Sequence, residues 1–191
     1  MTTLTYMLWL DLETTGTNEH EDLILEIGVV LTDMDLNAIH SYSTPIGEHG
    51  LAEFVLTNKE DPFVLNMHTK NGLLSDLAEG CGVERAQAER EILDMLGHVG
   101  VKKKACILAG SGVAHFDRRF LAVGFPELDR HLAYPTFDIG VIRRAEMFWA
   151  PGWLPTRNDE KPHRAVQDAE LHLADARTYR DAFVAALEAT R

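Results

Sequence analysis

Cysteine is nearly missing from this chain: Cys81 and Cys106 are the two among 191 residues, with no CxxC spacing. That excludes a disulfide framework and a cysteine-ligated zinc site, and it suits a reducing compartment, taken as the cytoplasm. Long apolar runs are missing too. Nothing approaches the roughly 20 residues of a membrane-spanning helix. The short run at 7–10 lacks the length and the basic flank of a secretion signal. Positive charge is scarce, with 18 Lys and Arg against 30 Asp and Glu and a net charge of -12. Tight binding along a long nucleic acid rests on lysines and arginines against phosphates, so that mode is disfavoured. A short oligonucleotide offers few phosphates, and a bound metal ion supplies positive charge locally, so chemistry on nucleic acids stays open. Internal repeats, low-complexity tracts and linkers are absent.

What remains is ordinary for a globular protein. Hydrophobic residues are 46% and charged residues 25%, enough for one domain with a core that needs no staples. Residues 6–12, 24–31 (ILEIGVVL) and 38–43 read as three strands, and the short connections between them predict an antiparallel meander. A helix is expected over 83–96, with Ala88, Ile92 and Met95 or Leu96 on one face. A fourth strand follows over 105–109, then helices from Asp117 and from Pro126, a fifth strand over 136–138, and a helix to about 147. The Pro-Gly loop carrying Trp149 and Trp153 breaks that helix. From Ala165 the apolar positions Val166, Ala169, Leu173, Ala176, Tyr179, Phe183 and Leu187 step by three or four, which predicts a long helix. The pattern is α/β: a mixed five-stranded sheet flanked by helices.

Asp11 and Glu13 stand two apart at the end of the first apolar run, and so on one face of a strand. Carboxylates side by side on a buried strand require a cation, an arginine or water. A divalent metal is the cation that favours clustered carboxylate oxygens. A lone D-x-E pair, though, is commonly solvent-facing. Asp117, after the Gly110-Ser111-Gly112 turn, reads by itself as a helix N-cap. His163 and Asp168 would lie about 140° apart on a helix. They converge only if His163 sits in the loop after Pro162 and Asp168 in the first turns of the last helix; separately they read as an exposed histidine and an acid favoured by the helix dipole. His172, one turn after Asp168, competes for the same face.

In this order, the D-x-E pair, Asp117 and the H-x4-D segment resemble the three motifs of the DEDD superfamily of 3′→5′ exonucleases, in its histidine branch. The tyrosine branch would place a Tyr where Arg164 stands. Within the branch the chain is most similar to oligoribonuclease. The similarity rests on Trp9-Leu10-Asp11-Leu12-Glu13, Met67-His68-Thr69-Lys70-Asn71-Gly72-Leu73, Asp117-Arg118-Arg119-Phe120-Leu121 and Phe125-Pro126-Glu127-Leu128, and runs over about residues 7–183. The resemblance implies a ribonuclease H-like fold, residues 1–191 as a single exonuclease domain, and a homodimer. It implies a metal-dependent 3′→5′ exoribonuclease hydrolysing short single-stranded oligonucleotides of RNA, with DNA as an alternative, to mononucleotides by a two-metal mechanism. Asp11, Glu13, Asp117 and Asp168 would hold two divalent ions, Mg2+ or Mn2+, with Asp11 bridging, and His163 would act as general base. Thr14, Thr15, Phe63 and His68 are the expected substrate contacts. Phe63 falls where the family stacks a tryptophan on a base; its other reading is core packing. Trp149 and Trp153 read as interface anchors or as a loop packed on its own domain.

Three departures bear on substrate choice. Thr17 stands where oligoribonucleases carry leucine, and the spacing from Gly110 to Asp117 is one residue longer than theirs. The segment Tyr134-Pro135-Thr136-Phe137-Asp138-Ile139-Gly140 lacks the Arg and Ser with which they cap a 5′ phosphate. These leave a general 3′→5′ exonuclease on single-stranded DNA or RNA, of the proofreading type, as the runner-up. A non-catalytic binding module on the same fold is the third reading; the intact set of four acids and His163 speaks against it.

Overall fold

The computed structural model describes residues 3–47, 62–154 and 162–190. Five strands, β1 (Tyr6–Thr14), β2 (Ile24–Asp33), β3 (Ala38–Pro45), β4 (Cys106–Gly110) and β5 (Thr136–Asp138), form one sheet in the order β3-β2-β1-β4-β5. The expected meander is there: β1 pairs antiparallel with β2, and β2 with β3. β4 adds parallel to β1 and β5 parallel to β4, so the sheet is mixed. Seven helices are described: α1 (Pro62–Lys70), α2 (Leu73–Ala78), α3 (Arg85–Val99), α4 (Asp117–Gly124), α5 (Pro126–His131), α6 (Ile139–Trp149) and α7 (Ala165–Glu188). The first two follow a stretch to which periodicity assigned no element. β1 also runs further than its apolar residues do. Glu13 pairs with Glu26 and Thr14 with Ile24 across the ladder, so the carboxylates lie within the strand rather than at its end.

Central β1 has two buried faces. Leu8, Leu10 and Leu12 pack with Ile92 and Leu96 of α3, Phe120 and Leu121 of α4, and Leu128 of α5. Met7 and Trp9 pack with Ile139 of α6 and with Ala169, Leu173, Ala176 and Tyr179 of α7. The Trp9 indole N–H donates to Thr32 Oγ1 at 3.1 Å, and the ring meets Phe137 edge-on. Gly28, opposite Asp11 on β2, is where α7 touches down. A Cβ there would lie 2.1 Å from the Val166 backbone nitrogen. Trp153 packs edge-on against Phe183 of α7, with ring centroids 4.8 Å apart, so this half of the Pro-Gly loop is packed on its own domain. Trp149 is 83% exposed. Among the described residues no helix is long and apolar enough to cross a membrane.

Candidate active site

Strand alternation builds the first half of the site. Odd-numbered residues of β1 face α7; after Trp9 the next two on that face are Asp11 and Glu13. The first turn of α7 lays Asp168 over them, and one turn on, fully buried His172 brings its Nδ1 to 3.9 Å from Asp11 Oδ1. Asp117 arrives from the opposite side. β4 follows β1 only as far as the Trp9–Ala109 pair. Beyond it the Leu12 amide N–H donates to Asp117 Oδ1 at 3.0 Å. Asp117 is therefore not the N-cap of α4: Phe116 holds that position, without a side-chain cap bond. A Cβ at Gly110 would lie 2.8 Å from Leu10 O, which is why the chain can leave β4 so close to β1.

His163 sits in the loop after Pro162, as convergence with Asp168 requires, and its backbone is left-handed at φ 52°. Such a conformation in a non-glycine residue is held by its surroundings. Glu13, His163 and Asp168 each offer a ligand atom within 4.8 Å of the others. Those three with Asp11 and Asp117 line an open cavity of about 400 Å³. Glu13, Asp117 and Asp168 are 5%, 3% and 1% exposed. Carboxylates so crowded and so buried are costly unless a cation lies among them, and an oxygen-rich set with one imidazole suits a hard divalent ion. The residues present fit the metal.

The expected substrate contacts divide. Thr14 lines the cavity, its hydroxyl donating to Gly16 O at 2.6 Å. Thr15 is turned into the loop instead. Its hydroxyl donates to Asp22 Oδ1 at 3.1 Å and accepts the Leu23 N–H at 2.9 Å. Phe63 is 71% exposed, which removes the core-packing reading; the next residue, Val64, lines the cavity. His68 is buried behind β1, outside the cavity lining. Its Nε2–H donates to Thr14 O at 3.1 Å, and its Nδ1 lies 3.9 Å from Glu13 Oε2. Burial, above all, holds its pKa below the ordinary histidine value. In the neutral tautomer that this bond selects, Nδ1 is left as an acceptor, and Asn71 Nδ2 faces it at 3.5 Å.

Other residues escaped the sequence reading. Ser111, Met67 and Phe116 complete much of the cavity wall. Glu26, 3% exposed on β2, accepts Arg164 Nη2–H at 2.9 Å and the Ala165 amide at 2.8 Å, tying the start of α7 to the sheet. A signal for it was present: Glu26 and Gly28 interrupt the otherwise apolar run ILEIGVVL.

Comparison with known proteins agrees with this geometry. The sequence profile of the exonuclease family, RNase_T, matches residues 8–174. A probable oligoribonuclease of Dictyostelium discoideum is 33% identical over 91% of this chain and 88% of its own length. The oligoribonuclease of Haemophilus ducreyi is 29% identical over 94% of each chain. Among solved structures, Escherichia coli exonuclease I in complex with a dT13 oligonucleotide superposes with a TM-score of 0.71 at 15% identity, over 96% of this chain and 43% of that one. That likeness shows the fold, ribonuclease H-like, and this chain spans about two fifths of exonuclease I's length. With the profile covering most of its length, the chain belongs to the exonuclease family, of the DEDD type, and is an enzyme of that class.

Proposed function

We propose that the chain is a metal-dependent 3′→5′ exoribonuclease that hydrolyses short oligonucleotides to mononucleotides. The observation that carries this reading is the meeting of Glu13, His163 and Asp168 within 4.8 Å, in a cavity that Asp11 and Asp117 also line. The names of the relatives, oligoribonucleases matched over nearly their whole length, supply the substrate class. Asp11, Glu13, Asp117 and Asp168 would hold two divalent ions, Mg2+ or Mn2+. When bound, such ions activate the attacking water and offset charge on the scissile phosphate. His163 would take the proton of the attacking water at a ring nitrogen, beside the Glu13 and Asp168 oxygens. Imidazole is the side chain suited to proton exchange near neutral pH. His172 lies behind Asp11, its Nδ1 3.9 Å from that carboxylate, and Leu12 N–H steadies Asp117 by a hydrogen bond. Thr14 and Phe63 meet the terminal nucleotide from the cavity wall and its rim, while Thr15 and His68 act on the substrate through the shape of the loop and strand end they brace.

Residues 1–191 act as one exonuclease domain in the cytoplasm. The homodimer is supported by exposed large apolar side chains on α6 and the end of α7: Phe148, Trp149 and Leu187 are 67%, 83% and 64% exposed. The runner-up, a general exonuclease on single-stranded DNA or RNA, draws support from Thr17, which lines the cavity where a leucine is the family pattern. One digestion series separates the two. End-labelled RNA and DNA from two nucleotides upward are incubated with Mg2+ or Mn2+ and with EDTA. The expected result is metal-dependent release of mononucleotides from the 3′ end, fastest on the shortest RNA. A rate flat with length and equal on DNA transfers the chain to the general class. Activity that survives EDTA removes the metal mechanism.

A further inference from the structure

We propose that Asn71 is a positioning residue for His163, a role that rests on the reading of His163 as general base. His163 holds a left-handed backbone at φ 52°, uncommon outside glycine. The group that meets it is the Asn71 carboxamide, whose Nδ2–H donates to the His163 carbonyl oxygen. Asn71 is itself fixed. Its Oδ1 accepts the Leu73 N–H at 3.0 Å across the Asn71-Gly72 turn between α1 and α2, where Gly72 has φ 83°. Its Nδ2 also faces Nδ1 of His68 at 3.5 Å, and His68 Nε2–H is bonded to the carbonyl of Thr14 on β1. A continuous relay thus runs from β1 through His68 and Asn71 to the backbone of His163. The strand that carries Asp11 and Glu13 sets the place of His163 through two side chains from the α1–α2 corner. The next residue is clamped from the same corner: Arg164 pairs with Asp76 of α2 at 2.9 Å as well as with Glu26.

A turn residue with no further duty would support the α1–α2 corner alone. The relay makes a sharper demand: removing the Nδ2 donor must act through His163. Asn71→Asp keeps the size and the acceptor for Leu73 N–H but removes the donor. Asn71→Ala removes the donor without adding charge, and the acceptor for Leu73 N–H with it. Both are expected to lower kcat on a short RNA by about 10- to 100-fold, as displaced catalytic groups do, with KM within about twofold. In a His163→Ala background the same substitutions are expected to change kcat by less than about twofold, because residues acting as one unit are not additive. In the metal-free protein, the ring resonances of His163 in NMR spectra are expected to shift in both variants while those of exposed His40 and His98 stay. If His163→Ala keeps wild-type activity, the general-base reading itself fails. If His163→Ala is slow but the Asn71 variants are fast, or their losses add in full to that of His163→Ala, the positioning role is overturned and the general base stands. Loss of the fold in both variants assigns Asn71 to the turn alone and also overturns it.

Discussion

On one face of β1, Leu8, Leu10 and Leu12 are closed in by α3, α4 and α5; on the other, Trp9 is closed in by α6 and α7, and Asp11 and Glu13 then follow it into a cavity. Neighbouring residues of one strand thus belong to regions with opposite requirements. The leucine face is satisfied by contact, each buried side chain contributing about 1.5–3 kcal/mol. The carboxylate face gains nothing from closer packing, since buried charge is stabilised only by a partner of opposite sign or by donated hydrogen bonds. α7 joins the two. Ala169, Leu173 and Ala176 fasten it to the sheet, and the same helix delivers Asp168 and His172 to the carboxylates. Apolar burial on this strand offsets the cost of holding the acids in a place they would otherwise avoid.

If the faces are divided in this way, paired substitutions should separate activity from stability. Asp168→Asn is expected to cut metal-dependent cleavage by about 10²- to 10³-fold, the scale seen when a group that stabilises developing charge is lost. The melting temperature in metal-free buffer should hold or rise, because one buried charge is gone. Leu10→Ala is expected to do the reverse: about 2–5 kcal/mol of stability lost to a cavity, read by urea unfolding, with kcat per folded molecule nearly unchanged. Comparable losses of both quantities in both variants would dissolve the division.

How much of this was legible beforehand follows the same line. The leucine face announces itself through strand alternation, and the five strands and the long last helix follow from apolar patterning. α1 and α2, 9 and 6 residues long and parted at Asn71-Gly72, carry too few turns for a period to show. Asp11 and Glu13 are readable because their spacing is local. Asp117 is not, since its decisive partner, the Leu12 amide, lies 105 residues away. The meeting of His163 with Asp168 goes with a left-handed backbone at His163, which apolar periodicity does not announce; the donor that meets its carbonyl, on Asn71, lies 92 residues away in sequence. His68 and Thr15 stand where the family motif has substrate contacts, but both are occupied with bracing the strand end.

Gly28 lies where the two regions meet, and it sharpens the comparison with the smallest change of all, one methyl group. It faces Asp11 across the ladder, and a Cβ there would come within 2.1 Å of Val166 N and 2.3 Å of Ala165 C. Both neighbours are backbone, so no side chain can swing aside, and the start of α7 must lift from β2. Lifting it lengthens the bond from Glu26 to the Ala165 amide and carries Asp168 away from Glu13. Gly28→Ala is expected to cost about 1–3 kcal/mol, as overpacking does. It should also lower kcat by up to about 10²-fold, the penalty for roughly 1 Å of misplacement at a reacting centre. Urea unfolding and single-turnover cleavage read the two losses separately. A stability loss with kcat intact would mean that the apolar half of α7 alone holds Asp168 in place. A kcat loss beyond the unfolded fraction would mean that a single glycine on β2 sets how closely the catalytic helix approaches the carboxylates.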